Sequence, residues 1–249
     1  MQYGICNLSL VPLRLETSDK SELVSQVLYG DLFKVLEKRK NWCKIRLASD
    51  NYEGYIDGNQ YREISEDDYF DIEKKSQTYS TDLVEFVLDE KKQLLPILLG
   101  SSLGGLKKLK HRYDGNYNSG VKPKSDLIKT ASLYLNAPYL WGGKSPFGID
   151  CSGFTQMVYR INGYKLFRDA SQQAGQGEVL SFIEESEPGD LAFFDNSEGE
   201  IIHVGIILEN NYIVHAHGNV RIDRLDQSGI YNIEQNKHTH KLRVIKKII

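Results

Sequence analysis

The run Asp150-Cys151-Ser152-Gly153-Phe154, followed much later by His203-Val204-Gly205 and then His215, constrains the fold of this chain more than any other feature. The thiolate is the reactive form of cysteine, so a catalytic cysteine needs a nearby imidazole and a site that favours negative charge. Residues this far apart meet only if the start of a helix packs against strands that carry the histidines. A helix is predicted over Gly153 to Ile161 with Cys151 at its N-terminus, where unpaired amides and the helix dipole favour an anion and should lower the thiol pKa. His203 and His215 fall on consecutive predicted strands, Ile201 to Leu208 and Tyr212 to His217, joined by Glu209-Asn210-Asn211. If Leu208 pairs with Tyr212, His203 faces His217 and His215 lies one diagonal step away on the same face. A tight Asn210-Asn211 turn would instead send the two histidines to opposite faces. An odd loop or a bulge is therefore expected, with His203 as base and His215 holding its second ring nitrogen.

Around this constellation the chain reads as helices followed by a sheet. Ser125 is expected to cap a helix that stops before Pro138, and Tyr139-Leu140-Trp141-Gly142-Gly143 reads as a loop. Arg168 to Gly177 is polar, and after Pro188-Gly189-Asp190 further strands are expected at Leu191 to Phe194 and Leu242 to Ile249. That order gives an α+β catalytic domain over 125–249. Residues 1–64 differ: short β-type runs at Leu8 to Leu13, Ser25 to Tyr29, Leu32 to Leu36, Trp42 to Leu47 and Gly54 to Ile56 indicate a small all-β barrel. Between them, 65–124 is expected to hold a polar linker at 65–78 and a possible second small β domain, with strands at Leu83 to Leu88 and Leu94 to Leu99.

Composition narrows the partners. A net charge of -3 favours neither nucleic acid nor a membrane surface, and no run approaches the roughly 20 apolar residues needed to span a bilayer. Three cysteines, Cys6, Cys43 and Cys151, are too few for a disulfide framework and point to a reducing compartment. The first residues carry no basic stretch followed by an apolar run, so a cytoplasmic location is expected, with export if a leader has been removed. Cys6 and Cys43 read as small buried hydrophobes, and Cys151 alone would too. His217 competes with His215 for the third role, and His215-Ala216-His217 could chelate a metal with His203 or Cys151. No carboxylate or second cysteine completes that ligand set, so neither metal nor cofactor is expected. The oligomeric state stays open.

Four motifs then combine. Pro138-Tyr139-Leu140-Trp141-Gly142-Gly143, Asp150-Cys151-Ser152-Gly153-Phe154, Pro188-Gly189-Asp190-Leu191 and His203-Val204-Gly205-Ile206 resemble, in this order, the NlpC-type cysteine peptidases of bacterial cell-wall peptides. The resemblance covers about residues 125–217. It implies a papain-like catalytic domain with Cys151 as nucleophile, His203 as base, His215 as the third polar residue and Tyr139 lining the site near the oxyanion. The N-terminal strands resemble the bacterial Src-homology-3-like barrels attached to cell-wall hydrolases, so one or two such barrels are implied. Ser21-Glu22-Leu23-Val24-Ser25-Gln26, Asn51-Tyr52-Glu53-Gly54-Tyr55-Ile56 and Arg168-Asp169-Ala170-Ser171-Gln172-Gln173-Ala174 resemble the γ-D-glutamyl-L-diamino-acid endopeptidases. That similarity implies a barrel closing one end of the cleft and a muropeptide substrate with a free N-terminal L-alanine. Asp169, Glu22 and Tyr52 would hold the substrate ammonium, with Ser152 and Trp141 lining the cleft. An inactive wall-peptide-binding module, or a thiol amidase or acyltransferase, would use the same residues.

Overall fold

The computed structural model describes residues 2–75 and 77–249; Met1, at the edge of the expected barrel, and Ser76, in the expected linker, lie outside the described residues. The first seven strands form one sheet: β1 (Gln2–Ile5), β2 (Leu10–Arg14), β3 (Leu23–Leu28), β4 (Leu32–Arg39), β5 (Trp42–Leu47), β6 (Glu53–Asp57) and β7 (Arg62–Ile64). Their order is β3-β2-β6-β5-β4-β1-β7. Alternation drives this arrangement, because every second side chain of β5 and β6 turns inward onto a core of Val11, Leu13, Phe33, Ile45 and Ile56. Register shifts at Leu13/Arg14 and Val35/Glu37 bend the strands and curl the sheet. Cys6 and Cys43 sit inside it as buried free thiols.

The expected linker is corrected. Residues Glu66–Glu73 form helix α1, capped by Ser65, whose Oγ accepts from the Asp68 amide at 3.1 Å. Acidic residues crowd its first turn, where they favour the positive end of the dipole, and they hide the buried pair Tyr69 and Ile72 from a reading by polarity. Beyond it lie β8 (Thr78–Ser80), β9 (Val84–Leu88), β10 (Leu94–Leu98), helix α2 (Leu106–Leu109), β11 (Arg112–Tyr113) and β12 (Tyr117–Ser119). These make a three-stranded sheet β10-β9-β11 and a two-stranded ribbon β12-β8, not a second seven-stranded barrel. Ile5, Tyr29, Ile72, Val87 and Ile97 share one apolar cluster, so this segment is packed against the barrel.

The remainder opens with α3 (Asp126–Ser132) and a short hairpin of β13 (Lys144–Ser145) and β14 (Gly148–Ile149), followed by α4 (Cys151–Ile161) and α5 (Ala170–Gln173). Ser125 stands at the start of α3, but its side chain makes no capping bond, contrary to expectation. A second seven-stranded sheet then follows, built from β15 (Glu178–Leu180), β16 (Leu191–Asp195), β17 (Ile201–Leu208), β18 (Tyr212–His217), β19 (Asn219–Asp226), β20 (Gly229–Asn232) and β21 (Lys237–Lys247). Its order is β15-β21-β16-β17-β18-β19-β20, and β21 also pairs with β20, which closes the sheet on itself. Phe154, Met157, Val158 and Ile161 of α4 pack on Val204, Ile206, Val214 and Ala216, and Leu28 of the barrel joins the same core. Among the described residues no helix is long and apolar enough to cross a membrane.

The barrel and the catalytic unit also meet through polar groups. Arg160 of α4 forms a buried ion pair with Asp31, and the Lys144 amide donates to Gln26 Oε1 at 2.7 Å. The Lys144 Nζ is fully buried without a hydrogen-bond partner among the described residues, and desolvation lowers its pKa to about 8. The native pKa thus lies below the unfolded one, so between them the unfolded chain binds the proton that the native state has released, and stability rises with pH. Between pH 8 and 10 this gain should be about 2 kcal/mol. The Cys6 and Cys151 thiols, raised by burial, act in the opposite sense over the same range. The Lys144 contribution is therefore read as a difference: in urea unfolding the native chain should gain about 2 kcal/mol on Lys144→Met between pH 8 and 10, with Lys144→Met the more stable of the two at pH 7. Parallel pH curves for both proteins would refute the assignment.

Candidate active site

Cys151 is the first residue of α4, and Asp150 caps it by accepting from the Gly153 amide at 2.7 Å. Asp150 also accepts from the Gly142 amide at 2.8 Å, which ties the Tyr139–Gly143 loop to the helix start. Gly142 is required there: its φ is +78°, and a Cβ would lie 2.2 Å from the Leu23 carbonyl oxygen of the barrel. Beneath both, Arg168 is buried and grips Asp150 with Nη1 to Oδ1 at 3.0 Å and Nη2 to Oδ2 at 2.5 Å. Its Nε donates to Ser25 Oγ at 3.0 Å, so one guanidinium joins helix, loop and barrel. The Ser152 hydroxyl is buried against the same pair, donating to Asp150 and accepting from Arg168 Nη1 at 3.0 Å.

The histidines meet as the register argument requires. Leu208 pairs with Tyr212 and Gly205 with His215, and the connection is the three-residue Glu209–Asn211 turn with Asn210 and Asn211 at φ of 57° and 59°. His203 Nε2 and His215 Nδ1 stand 2.8 Å apart, and His215 Nε2 is 3.0 Å from Asp223 Oδ2. Arg221 Nε holds the same carboxylate oxygen at 2.9 Å. With the ionised carboxylate accepting from Nε2, His215 presents a bare Nδ1 to His203, whose own Nδ1 is left to take a proton. His217, the rival for the third role, is exposed, whereas His215 is buried. The Val204 backbone, one residue along β17 from His203, acts on the Cys151 thiol by lowering its pKa.

Electrostatics correct one expectation. Cys151 is only 7% exposed, and burial pushes its thiol up to about 12, with Asp150 adding to the rise. Amides of Val204 and Ser152 and the Arg168 charge pull the other way without prevailing. Burial likewise drives the His203 imidazole well below its ordinary value, helped by His215, His240 and His217. Burial alone would raise the Asp223 carboxyl, but hydrogen bonds from His215 and Arg221 outweigh it and hold the group ionised. Either charge alone is therefore disfavoured at the sulfur and at the ring.

A cavity of 450 Å³ opens beside this sulfur, lined by Cys151, Ser152 and Asp169 from the catalytic unit and by Glu22, Val24 and Tyr52 from the barrel. Tyr52 Oη donates to Asp169 Oδ1 at 3.2 Å, and Trp141 Nε1 donates to Glu22 Oε1 at 2.6 Å. Asp169 occupies the N-cap position of α5, and burial raises its carboxyl pKa, so an anion sits there without a full complement of stabilising partners. Tyr139 is exposed near the thiol; desolvation, then Cys151, raise its hydroxyl to about 12. Asp223, Asp150 and Arg168 were not assigned functions from sequence. Asp150 at a helix N-cap and Arg168 next to Asp169 carry legible signals, but Asp223 lies on β19, whose charged alternation gave no strand reading.

Comparison with known proteins agrees with this arrangement. The family model described as NlpC/P60 family matches residues 136–240, and one described as bacterial dipeptidyl-peptidase Sh3 domain matches residues 13–60. Dipeptidyl-peptidase 6 of Lysinibacillus sphaericus is 30% identical over 249 residues, covering 83% of this chain and 86% of that protein. The chain belongs to the NlpC/P60 family. It is a cysteine endopeptidase, a hydrolase with an N-terminal Src-homology-3-like domain and a C-terminal NlpC/P60 domain. A second relative of this NlpC/P60 protein, the gamma-D-glutamyl-L-lysine dipeptidyl-peptidase of Bacillus cereus, is 26% identical over 234 residues, covering 82% of this chain and 70% of that protein. The same-named protein of Bacillus subtilis is 42% identical over 93 residues, which is 36% of this chain and 31% of that protein. In structure, an NlpC/P60 family protein from Bacillus cereus ATCC 10987 superposes with a TM-score of 0.81 at 20% identity over 99% of both chains, a likeness of fold.

If His203 is the proton acceptor of Cys151, His203→Ala leaves the thiol desolvated and without a base, and alkylation of Cys151 by iodoacetamide at pH 7 should slow by about 100-fold relative to the native chain. Mass spectrometry of the labelled peptide gives the rate; unchanged labelling would show that the sulfur is ionised without the ring.

Proposed function

We propose that this NlpC/P60 protein hydrolyses the γ-D-glutamyl to diamino-acid bond of short muropeptides that begin with a free L-alanine, releasing L-Ala-D-Glu. The observation that carries this reading is Asp169: a half-buried, destabilised carboxylate in the same cavity as Cys151, bonded to Tyr52, with Glu22 on the wall. A carboxylate in such a place gains most from a cation, and a peptide ammonium supplies one together with three hydrogen-bond donors. The barrel wall limits how far the chain can extend beyond that ammonium, which supports a dipeptide-releasing reaction. Relatives named for γ-D-glutamyl-L-lysine cleavage support the choice of bond. A cytosolic role in recycling wall peptides goes with this preference for small free fragments.

In this reading the Cys151 thiol passes its proton to His203 Nδ1 as the sulfur attacks the γ-carbonyl carbon. His203 Nε2–H stays on His215 Nδ1, and Asp223 fixes the tautomer and favours the imidazolium through His215. The Cys151 amide, without an intrahelical partner at the first turn, and the Tyr139 hydroxyl are the donors for the developing oxyanion. His203 then returns the proton to the leaving amine, leaving a thioester on Cys151. Water, deprotonated by the same ring, cleaves the thioester and restores the thiol.

Incubation with L-Ala-γ-D-Glu-L-Lys and its N-acetyl form, with products identified by mass, tests the reaction and the amine requirement together. The free peptide should be cleaved and the blocked one largely spared. Cys151→Ala should abolish turnover with the fold intact, and Asp169→Asn should lower kcat/KM for the free peptide by about 100-fold while leaving the slow N-acetyl reaction little changed. Equal cleavage of free and blocked peptides, or a fully active Cys151→Ala, would overturn the reading.

A further inference from the structure

A third, partly buried ring accompanies the two histidines of the relay and has no part in the reaction above. His240, on β21, stacks on His203 with ring centroids 4.1 Å apart and an interplanar angle of 23°. One ring nitrogen each from His203, His215 and His240 lies within 4.8 Å of the other two. We propose that these three imidazoles bind a borderline-soft divalent transition cation, of which Zn²⁺ is the type, and that the bound ion switches the hydrolase off. The inhibitory half of this inference rests on the hydrolase reading; the binding half does not.

The donor set suits the ion. Three imidazoles with an open fourth position match the coordination that Zn²⁺ adopts where water or a substrate group completes the shell. Imidazole ligates only when neutral, and burial keeps both His203 and His240 well on the neutral side, His240 at about 4. The surroundings are also those of a ligand set. His215 offers Nδ1 inward while its Nε2 is held by Asp223, the carboxylate-histidine arrangement that orients metal ligands and raises their basicity. His240 Nδ1 has Thr239 Oγ1 at 2.9 Å, so one ring nitrogen has a hydroxyl partner, and the other has no hydrogen-bond partner among the described residues.

Geometry sets the adjustment needed. With Zn–N bonds of about 2.0 Å, tetrahedral ligand nitrogens stand about 3.3 Å apart. His203 Nε2 and His215 Nδ1, at 2.8 Å, must part slightly, and His240 must turn inward. His240 is only partly buried, so its ring has room to do so. The inhibitory consequence follows from proton placement. When the ion takes His203 Nε2, the neutral ring carries its proton on Nδ1, the nitrogen that has to be bare to accept the thiol proton. No proton leaves the site in this exchange; the shared hydrogen bond between the two rings is replaced by two bonds to the metal.

The test uses the full chain with ZnCl₂ and CoCl₂ as probes. In Cys151→Ala, which removes the thiolate as a ligand, Co²⁺ should give the intense visible bands of tetrahedral coordination, displaced by Zn²⁺ and erased by EDTA. His240→Gln and His240→Asn, placed on that background and verified as folded by circular dichroism, should each weaken Zn²⁺ binding at least 10-fold. In the Cys151-containing protein, the same His240 variants, each referred to its own turnover in EDTA, should need at least 10-fold more Zn²⁺ for inhibition than the native chain. Absence of Co²⁺ bands in Cys151→Ala, or Zn²⁺ sensitivity that is equal with and without His240, would overturn the proposal. Metal binding through His240 in a protein that cleaves no peptide would instead refute the hydrolase reading and leave the binding site standing.

Discussion

The buried ion pair between Asp150 and Arg168 is the constraint on which the rest of the site depends. A charge pair taken out of water is stabilising only when its remaining hydrogen-bonding capacity is met, and breaking it by removing one partner costs about 3–5 kcal/mol. Here that capacity is met by the very groups that have to be positioned. Asp150 accepts the amides of Gly142 and Gly153, and Arg168 reaches Ser25 of the barrel and Ser152 of α4. Cys151 follows Asp150 in sequence and Asp169 follows Arg168, so the proposed nucleophile and the half-buried carboxylate are each one peptide bond away from the pair. Their separation across the cleft is thus set by one salt bridge rather than by two independent loops.

The barrel belongs to this arrangement rather than being appended to it. Ser25, Gln26 and Asp31 each bond to a residue of the catalytic unit, and Glu22, Val24 and Tyr52 line the cavity beside the sulfur. Burial also sets the electrostatics: it raises Asp169 and Tyr52 where the barrel meets the catalytic unit, and it raises Cys151 and depresses His203. A dry site makes an isolated charge costly and an internal proton transfer comparatively easy, which is the condition under which a weakly acidic thiol can still act as nucleophile.

The catalytic geometry was legible in sequence where the pattern was local. The strands Ile201–Leu208 and Tyr212–His217, the three-residue turn between them and the shared face of His203 and His215 all follow from alternation and loop parity. Cys151 stands at the helix start that the sequence predicts, and the structure adds Asp150 as its cap. What alternation could not supply was long-range pairing. Asp223 and His240 sit on β19 and β21, strands rich in charge whose inward positions depend on closure of the sheet. The acidic run of α1 concealed its buried Tyr69 and Ile72, because a short helix needs few apolar positions when both neighbouring units supply the rest of the core. The thiol pKa was misread for a related reason: a helix terminus is visible in sequence, whereas the depth at which it is buried is not.

A double-mutant cycle on Asp150→Asn and Arg168→Met tests the central claim most directly, with kcat/KM on the free tripeptide and urea unfolding as paired readouts. If one buried pair positions both ends of the cleft, each single change should be severe, the double variant should be no worse than the poorer single one, and the coupling should exceed about 2 kcal/mol. Additive losses, or near-native catalysis in either single variant, would contradict the account.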